Sequence, residues 1–218
     1  VIMSWVNSTD FISVLSCVLF GAQLFIMTDA NIQAESQKSN WVKYLKKVFL
    51  GNVLFKLASG FLYAGTGNKQ LYQSCGVPEK KLIPFAFSWE SQHFLAQPRL
   101  KGSEINEIKA KIGISKDDFV ILYCGRLSPE KAPMDLLKGY ESAGSEGKAL
   151  VFAGDGPVRL ELEKYIHDNR IQSVYFMGFL DRGENNQCYE MADVLVLPSK
   201  QEATGAVLTE GMCFDLPI

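Results

Sequence analysis

From Phe119 to Leu197 the chain repeats one pattern: a short apolar run, a glycine or proline, then a longer stretch with helical spacing. The runs are FVILYC (Phe119 to Cys124), ALVFA (Ala149 to Ala153), VYFM (Val174 to Met177) and VLVL (Val194 to Leu197). They end at Gly125, at Gly154-Asp155-Gly156-Pro157, at Gly178 and at Pro198-Ser199. Helical spacing falls near 133–142, 157–169 and 184–192. Continuous apolar runs predict strands buried on both faces, and strand–helix alternation predicts right-handed crossovers in a parallel sheet. This half therefore reads as α/β of the doubly wound type. In such sheets ligands bind beyond the carboxyl ends of the strands, so the residues just after each run are the ones to inspect.

The earlier part is also α/β in character. It predicts a helix over 11–20, a break at Gly21, a strand over 24–27 and a long helix over 39–58, followed by another apolar run over 60–64. The stretch from Pro84 to Gly102 carries two prolines and no clean period, and reads as a linker. The expected division is 1–87, a linker over 88–102, and 103–218.

Two segments raise a membrane question. Phe11 to Thr28 carries no formal charge and has about the minimum length of a spanning helix. Ser13, Ser16, Gly21 and Gln23 fit helix, turn and strand better. Trp41 to Ala58 combines Lys43, Lys46, Lys47 and Lys56 with aromatic and aliphatic residues. That pattern suits a basic amphipathic helix on an anionic membrane surface, or an ordinary surface helix whose lysines are solvated.

Composition narrows the classes. The 218 residues are 47% hydrophobic and 21% charged, which excludes a disordered or fibrous chain. Lys+Arg 22 against Asp+Glu 24 leaves a net charge of -2, so no global basic excess invites a nucleic acid. Five widely spaced cysteines without a C-x-x-C argue against a disulfide scaffold or zinc cage and for a reducing compartment. Cys124, inside an apolar run, reads as a small buried side chain. The chain starts at Val1 and ends at Leu216-Pro217-Ile218, which reads like the entry to another strand. The expectation is that both ends, and parts of both domains, lie outside it.

Three motifs follow the predicted strands. Gly125-Arg126-Leu127-Ser128-Pro129-Glu130-Lys131 places a guanidinium and an ammonium at a strand end, a pairing suited to a diphosphate. Gly154-Asp155-Gly156-Pro157 lacks the third glycine of a dinucleotide fingerprint, whose position holds Arg159. It reads as a tight turn with Pro157 at the first helical position. Glu202 and Glu210 are separated by seven residues, and Gly205 is expected to open a helix whose amides attract phosphate. Glu202 then lies in the loop, and Glu210 inside the helix, where a carboxylate can accept from sugar hydroxyls. Two carboxylates also suit a glycosidase, but the neighbouring cations and amides favour a phosphorylated ligand. There is no D-x-D sequence, and His93 and His167 have no companion motif.

In order, G-R-x4-K, G-D-G-P, G-F and E-x7-E resemble the C-terminal half of a GT-B glycosyltransferase of family four. ADVLVLPSKQEATGAVLTEGMCFDLPI resembles that family's donor-site signature, and SGFLYAGTGNKQLYQSCGVPEKKLIPFAF resembles the end of its acceptor-side domain. The resemblance implies two Rossmann-like parallel-sheet domains, both incomplete here. It implies retaining transfer from a nucleotide-diphosphate sugar, as co-substrate, to a glycan, lipid-linked or polysaccharide acceptor. No metal and no other cofactor are implied. The expected setting is the cytoplasm, at the inner face of the membrane if peripheral contact occurs.

Carried residue by residue, the resemblance gives Arg126 and Lys131 the donor diphosphate, with Gly125 beside them. Glu210 holds the ribose hydroxyls and Glu202 contacts the transferred sugar. Arg126, Lys131 and Glu202 form the catalytic set. Gly205, Ala206 and Val207 approach phosphate or sugar, and Gly178 and Phe179 lie by the base. The family usually has an aromatic where this chain has Thr204, and a sequence close to A-M-A-C-G where it has Gly211-Met212-Cys213-Phe214-Asp215. Asp215 thus replaces the glycine that most easily takes a left-handed cap conformation. A non-catalytic nucleotide-sugar binding relative and a nucleotide-sugar epimerase of the same fold are the alternatives.

Overall fold

The computed structural model describes residues 8–28, 41, 55–86, 91–96, 98–202 and 205–218. The chain forms two compact units, Val1–Ser88 and Trp89–Ile218.

The first unit holds helix α1 (Ser8–Leu19), strand β1 (Phe25–Met27), a helical turn at Phe55–Leu57, β2 (Gly60–Tyr63), α2 (Thr66–Ser74) and β3 (Leu82–Pro84). The strands are parallel in the order β1-β2-β3. Ile26, Phe61 and Leu82 from the three strands meet Tyr72 of α2, and the rings of Phe61 and Tyr72 pack edge to face at 5.2 Å. The uncharged segment over 11–28 is therefore helix, turn and strand, and among the described residues no helix is long and apolar enough to cross a membrane. Most of the basic helix expected over 39–58 lies outside the described residues.

The second unit contains α3 (Ser91–Leu95), α4 (Gly102–Ile112), β4 (Phe119–Cys124), α5 (Pro133–Ala143), β5 (Lys148–Ala153), α6 (Arg159–Asn169), β6 (Val174–Gly178), α7 (Arg182–Met191), β7 (Val194–Leu195) and α8 (Ala206–Cys213). Among the described residues its four strands are all parallel, in the order β6-β5-β4-β7. The order reverses at β4, from which β5 and β7 run out on opposite sides.

Period-two alternation builds two apolar layers from the same strands. Val120, Leu122 and Cys124 of β4 and Ala149, Val151 and Ala153 of β5 form one layer with Tyr189 and Met191 of α7. Tyr123, Leu150 and Phe152 face the other way, onto Leu137 and Tyr140 of α5 and Leu162 of α6. Both faces of the central strands are buried, as the continuous apolar runs predict. Strand β6 departs from that expectation: it is half-buried throughout because it stands at the sheet edge.

Several boundaries also differ from the sequence reading, among them three in the second unit. Helix α6 begins at Arg159 rather than Pro157; Val158 is its N-cap, and the Val158 amide, which has no acceptor within the helix, bonds the Leu127 carbonyl at 3.2 Å. The VLVL run pairs with β4 only at Val194 and Leu195. Helix α7 starts at Arg182, two residues before the expected 184, where Asp181 and Glu184 form a capping box.

The turns after β4 and β5 touch backbone to backbone. Gly125 donates to the Ala153 carbonyl at 2.9 Å, and Leu127 to the Asp155 carbonyl at 3.0 Å. A Cβ on Gly154 would stand 2.0 Å from the Gly125 oxygen, and one on Gly156 would stand 2.3 Å from the Leu127 oxygen. Gly154 also has φ 141, open only to glycine. The G-D-G spacing is thus a packing requirement between two turns. Gly156→Ala is expected to destabilise the second unit by about 3 kcal/mol or more, since backbone must move. Urea unfolding of both proteins checks this, and a loss below about 0.5 kcal/mol contradicts it.

Candidate functional site

The joined turns form one wall of a cleft of about 480 Å³ at the carboxyl ends of the strands of the second unit. Cys124, Gly125 and Arg126 line it after β4, and Ala153, Gly154 and Asp155 after β5. Phe179 and Leu180 follow β6, Asn185 comes from α7, and Val207 and Glu210 come from α8. Five elements thus converge on one space.

Arg126 is exposed, while its carbonyl accepts from the Tyr123 hydroxyl at 2.8 Å. A fixed backbone carrying an exposed guanidinium offers a planar fork of donors to an anion. Asp155 stands opposite in charge. Its carboxylate accepts from the Gly156 amide at 2.7 Å and from Arg159 at 3.0 Å, and these donors hold its pKa below the usual carboxylate range. Arg159 continues to Glu163 at 2.8 Å, so Asp155 is tied into α6.

Glu210 lies inside α8 and accepts from the hydroxyl of Tyr189 at 2.8 Å. Tyr189 is buried, and its oxygen also stands 3.3 Å from the Cys124 sulfur. Burial pushes the Cys124 thiol up to about 11, so it remains a neutral side chain in the cleft floor. The expected buried role of Cys124 holds, although its place in the cleft was not legible from its apolar run.

Lys131 and Glu202 sit together just outside the residues that line the cleft. The turn Pro129–Lys131 receives the loop after β7, where the Lys200 amide donates to the Glu130 carbonyl at 2.9 Å. This brings Lys131 Nζ to 2.5 Å from Glu202 Oε2, with both side chains about three-quarters buried. Ser199 also donates to that carboxylate, at 3.2 Å. Burial alone would raise the Glu202 pKa, but the hydrogen bond and charge of Lys131, the Gly205 amide and Ser199 outweigh it and hold it low. An ammonium, a hydroxyl and a helix-opening amide are donors suited to any anion, and here they hold a carboxylate.

Helix α8 opens as expected, with Gly205 at its N-cap at φ 61 and Ala206 as its first residue. It closes in a Schellman motif: the Leu216 amide bonds the Gly211 carbonyl and the Asp215 amide bonds the Met212 carbonyl. Asp215 occupies the left-handed position at φ 59, as the sequence comparison anticipated. A Cβ on Gly211 would stand 2.6 Å from Leu195 Cδ2.

Of the residues proposed from sequence, Gly125, Arg126, Phe179, Val207 and Glu210 line the cleft. Gly178 ends β6 directly before Phe179, and Gly205 and Ala206 open the helix that carries Val207. Lys131 and Glu202 meet each other, and Thr204 lies outside the described residues. Sequence reasoning missed Asp155, Leu180 and Asn185 as lining residues, and Tyr189 as the buried partner of Glu210. Asp155 was visible in the G-D-G turn, whereas Asn185 and Tyr189 reach the site only through the packing of α7.

Residues 104–218 match the family described as glycosyl transferases group 1. The chain belongs to that family. It is 27% identical over 185 residues to an alpha-monoglucosyldiacylglycerol synthase of Streptococcus pneumoniae, covering 83% of this chain and 40% of that protein. It is 34% identical over 121 residues to the sulfoquinovosyl transferase SQD2 of Arabidopsis thaliana, covering 56% and 22%. The chain spans well under half the length of these curated relatives. Anabaena HepE, solved in complex with UDP and glucose, superposes with a TM-score of 0.77 at 16% identity, over 97% of this chain and 56% of that one. The fold of this group 1 glycosyltransferase chain is therefore GT-B, with parallel sheets in both units as expected.

The Lys131–Glu202 pair has a pH signature. A carboxylate held low stabilises the fold in full above its unfolded value, near 4.5, and the contribution disappears as pH falls through the lower folded value. Wild type and Glu202→Gln should therefore differ in stability at neutral pH and converge well below pH 4.5. Unfolding curves across that range check this, and a pH-independent difference contradicts it.

Proposed function

We propose that this chain carries the donor-binding part of a glycosyltransferase that moves a hexosyl-type sugar from a nucleotide-diphosphate sugar to an acceptor, with retention and without a metal. The observation that carries this reading is the convergence of Arg126, Val207 and Glu210 on one cleft at the carboxyl ends of parallel strands. In such sheets that is where nucleotides bind. The complex of HepE with UDP and glucose supports the ligand class, on a shared fold.

In this reading Arg126 takes the donor diphosphate, with Gly125 beneath it, and Lys131 joins it. Glu210 accepts from the ribose hydroxyls, and Phe179 and Gly178 flank the base. Gly205, Ala206, Val207 and Thr204 approach phosphate or sugar, and Glu202 contacts the transferred sugar. Breaking the sugar–phosphate bond leaves negative charge on the departing diphosphate. One cation about 4 Å away stabilises it by roughly 1 kcal/mol in water and about 4 kcal/mol at an effective dielectric of 20. That gain grows as charge develops, so it accelerates the chemical step. Retention requires the acceptor oxygen to arrive on the face from which the diphosphate leaves.

We assign the acceptor to the glycan, lipid-linked or polysaccharide class and the setting to the cytoplasm, at the inner face of the membrane if peripheral contact occurs. Support comes from the pneumococcal relative, a synthase of a glucosylated diacylglycerol. The domain division follows the same reading: an acceptor-side portion over 1–87, a linker over 88–102 and the donor portion over 103–218.

Calorimetric titration with UDP, GDP and ADP tests the donor assignment. One nucleotide should bind, and Arg126→Ala should weaken it by roughly tenfold or more through loss of a charge-assisted contact. Equal affinity in the variant, or no binding by any of the three, overturns the reading.

A further inference from the structure

Glu210 does not stand alone in the cleft. The carboxylate emerges from α8 and its Oε2 accepts from Tyr189, which belongs to α7. Tyr189 is 1% exposed, so the bond is formed away from bulk water. Its ring has little freedom: it stacks on Phe214 at 5.2 Å and 22°, and the guanidinium of Arg99 covers the Phe214 ring at 4.5 Å. Arg99 is itself anchored by the Cys213 carbonyl. The phenol is thus a fixed donor, aimed at the carboxylate from beneath the cleft.

A carboxylate can rotate about its terminal bond, whose preferences are broad. A single fixed donor on one oxygen removes that freedom. It leaves the remaining lone pairs of the carboxylate in a set orientation for whatever enters the cleft. Burial first, then the neighbouring thiol of Cys124, pushes the phenol's pKa upward, so the hydroxyl stays protonated and remains a donor.

We propose that Tyr189 is a positioning residue: through its hydroxyl it holds the Glu210 carboxylate in the orientation that selects ribose hydroxyls on the bound nucleotide. This rests on the reading of Glu210 as the ribose contact. Tyr189 itself touches no ligand. It acts on discrimination between a sugar with hydroxyls and one without, more than on affinity in general.

The experiment measures affinities of the 218-residue chain for UDP, GDP and ADP and for their 2′,3′-dideoxy counterparts. The readout is the preference for the ribonucleotide over its dideoxy form. Tyr189→Phe keeps the ring that stacks on Phe214 and removes only the donor. It should cut that preference roughly tenfold, the scale of one hydrogen bond to a charged group, with dideoxy affinity little changed. Replacement of Tyr189 by a ring-fluorinated tyrosine retains the hydroxyl and should keep the full preference, which also covers a Tyr189→Phe chain that fails to fold.

Glu210→Gln separates the two levels. If it loses the preference while Tyr189→Phe retains it, the positioning role is overturned and the ribose contact stands. If Glu210→Gln keeps the full preference, or no ribonucleotide binds, the ribose contact itself is wrong and the positioning role falls with it. Parallel loss of both affinities in Tyr189→Phe marks a merely structural tyrosine and also overturns the proposal.

Discussion

The close approach of two backbone turns is the constraint on which the rest of the second unit depends. Strands β4 and β5 run parallel, and their following turns continue side by side, with Gly125 and Leu127 donating across to Ala153 and Asp155. Gly154 and Gly156 have no room for a methyl group on that path. The contact sets where Arg126 and Asp155 stand, one from each turn, at the same mouth of the sheet. It also takes the Val158 amide at the N-cap of α6, next to the turn where Asp155 pairs with Arg159. A glycine pair that resembles a truncated dinucleotide fingerprint has a steric cause.

Around that fixed wall the remaining parts differ in how they are held. Helix α8 is secured at both ends, by Gly205 in a left-handed N-cap and by a Schellman closure through Asp215. Arg99 binds the Cys213 carbonyl, covers Phe214 and lies 3.5 Å from Asp215, tying the stretch before α4 to the end of α8. Asp215 therefore accepts a left-handed backbone that glycine takes more readily, and its exposed ion pair offsets little of that cost. By contrast, Lys131 and Glu202 depend on each other, a partnership whose strength follows pH and salt.

Much of this was legible in the sequence, for a physical reason: strands buried on both faces write themselves as unbroken apolar runs, and their ends are punctuated by glycine and proline. FVILYC and ALVFA gave both strands and the turns that carry Arg126 and Asp155. The E-x7-E spacing placed Glu210 inside a helix opened by Gly205. Less was legible where partners come from distant elements. Nothing in the local sequence around Tyr189 or Asn185 indicates that α7 delivers them to Glu210 and to the cleft. The pairing of Lys131 with Glu202 likewise depends on the loop after β7 folding back onto Glu130. Edge position, a property of the whole sheet, explains why β6 is half-buried despite an apolar run.

The central claim is that a nucleotide diphosphate occupies the cleft at the ends of β4, β5 and β6, against α8. The most direct measurement is a map of backbone amide shifts in the isotopically labelled chain during titration with the nucleotide that binds. The account predicts that the perturbed amides cluster at 124–126, 153–155, 178–180 and 205–210. Perturbations confined to other surfaces, with these four segments unmoved at saturation, would contradict it.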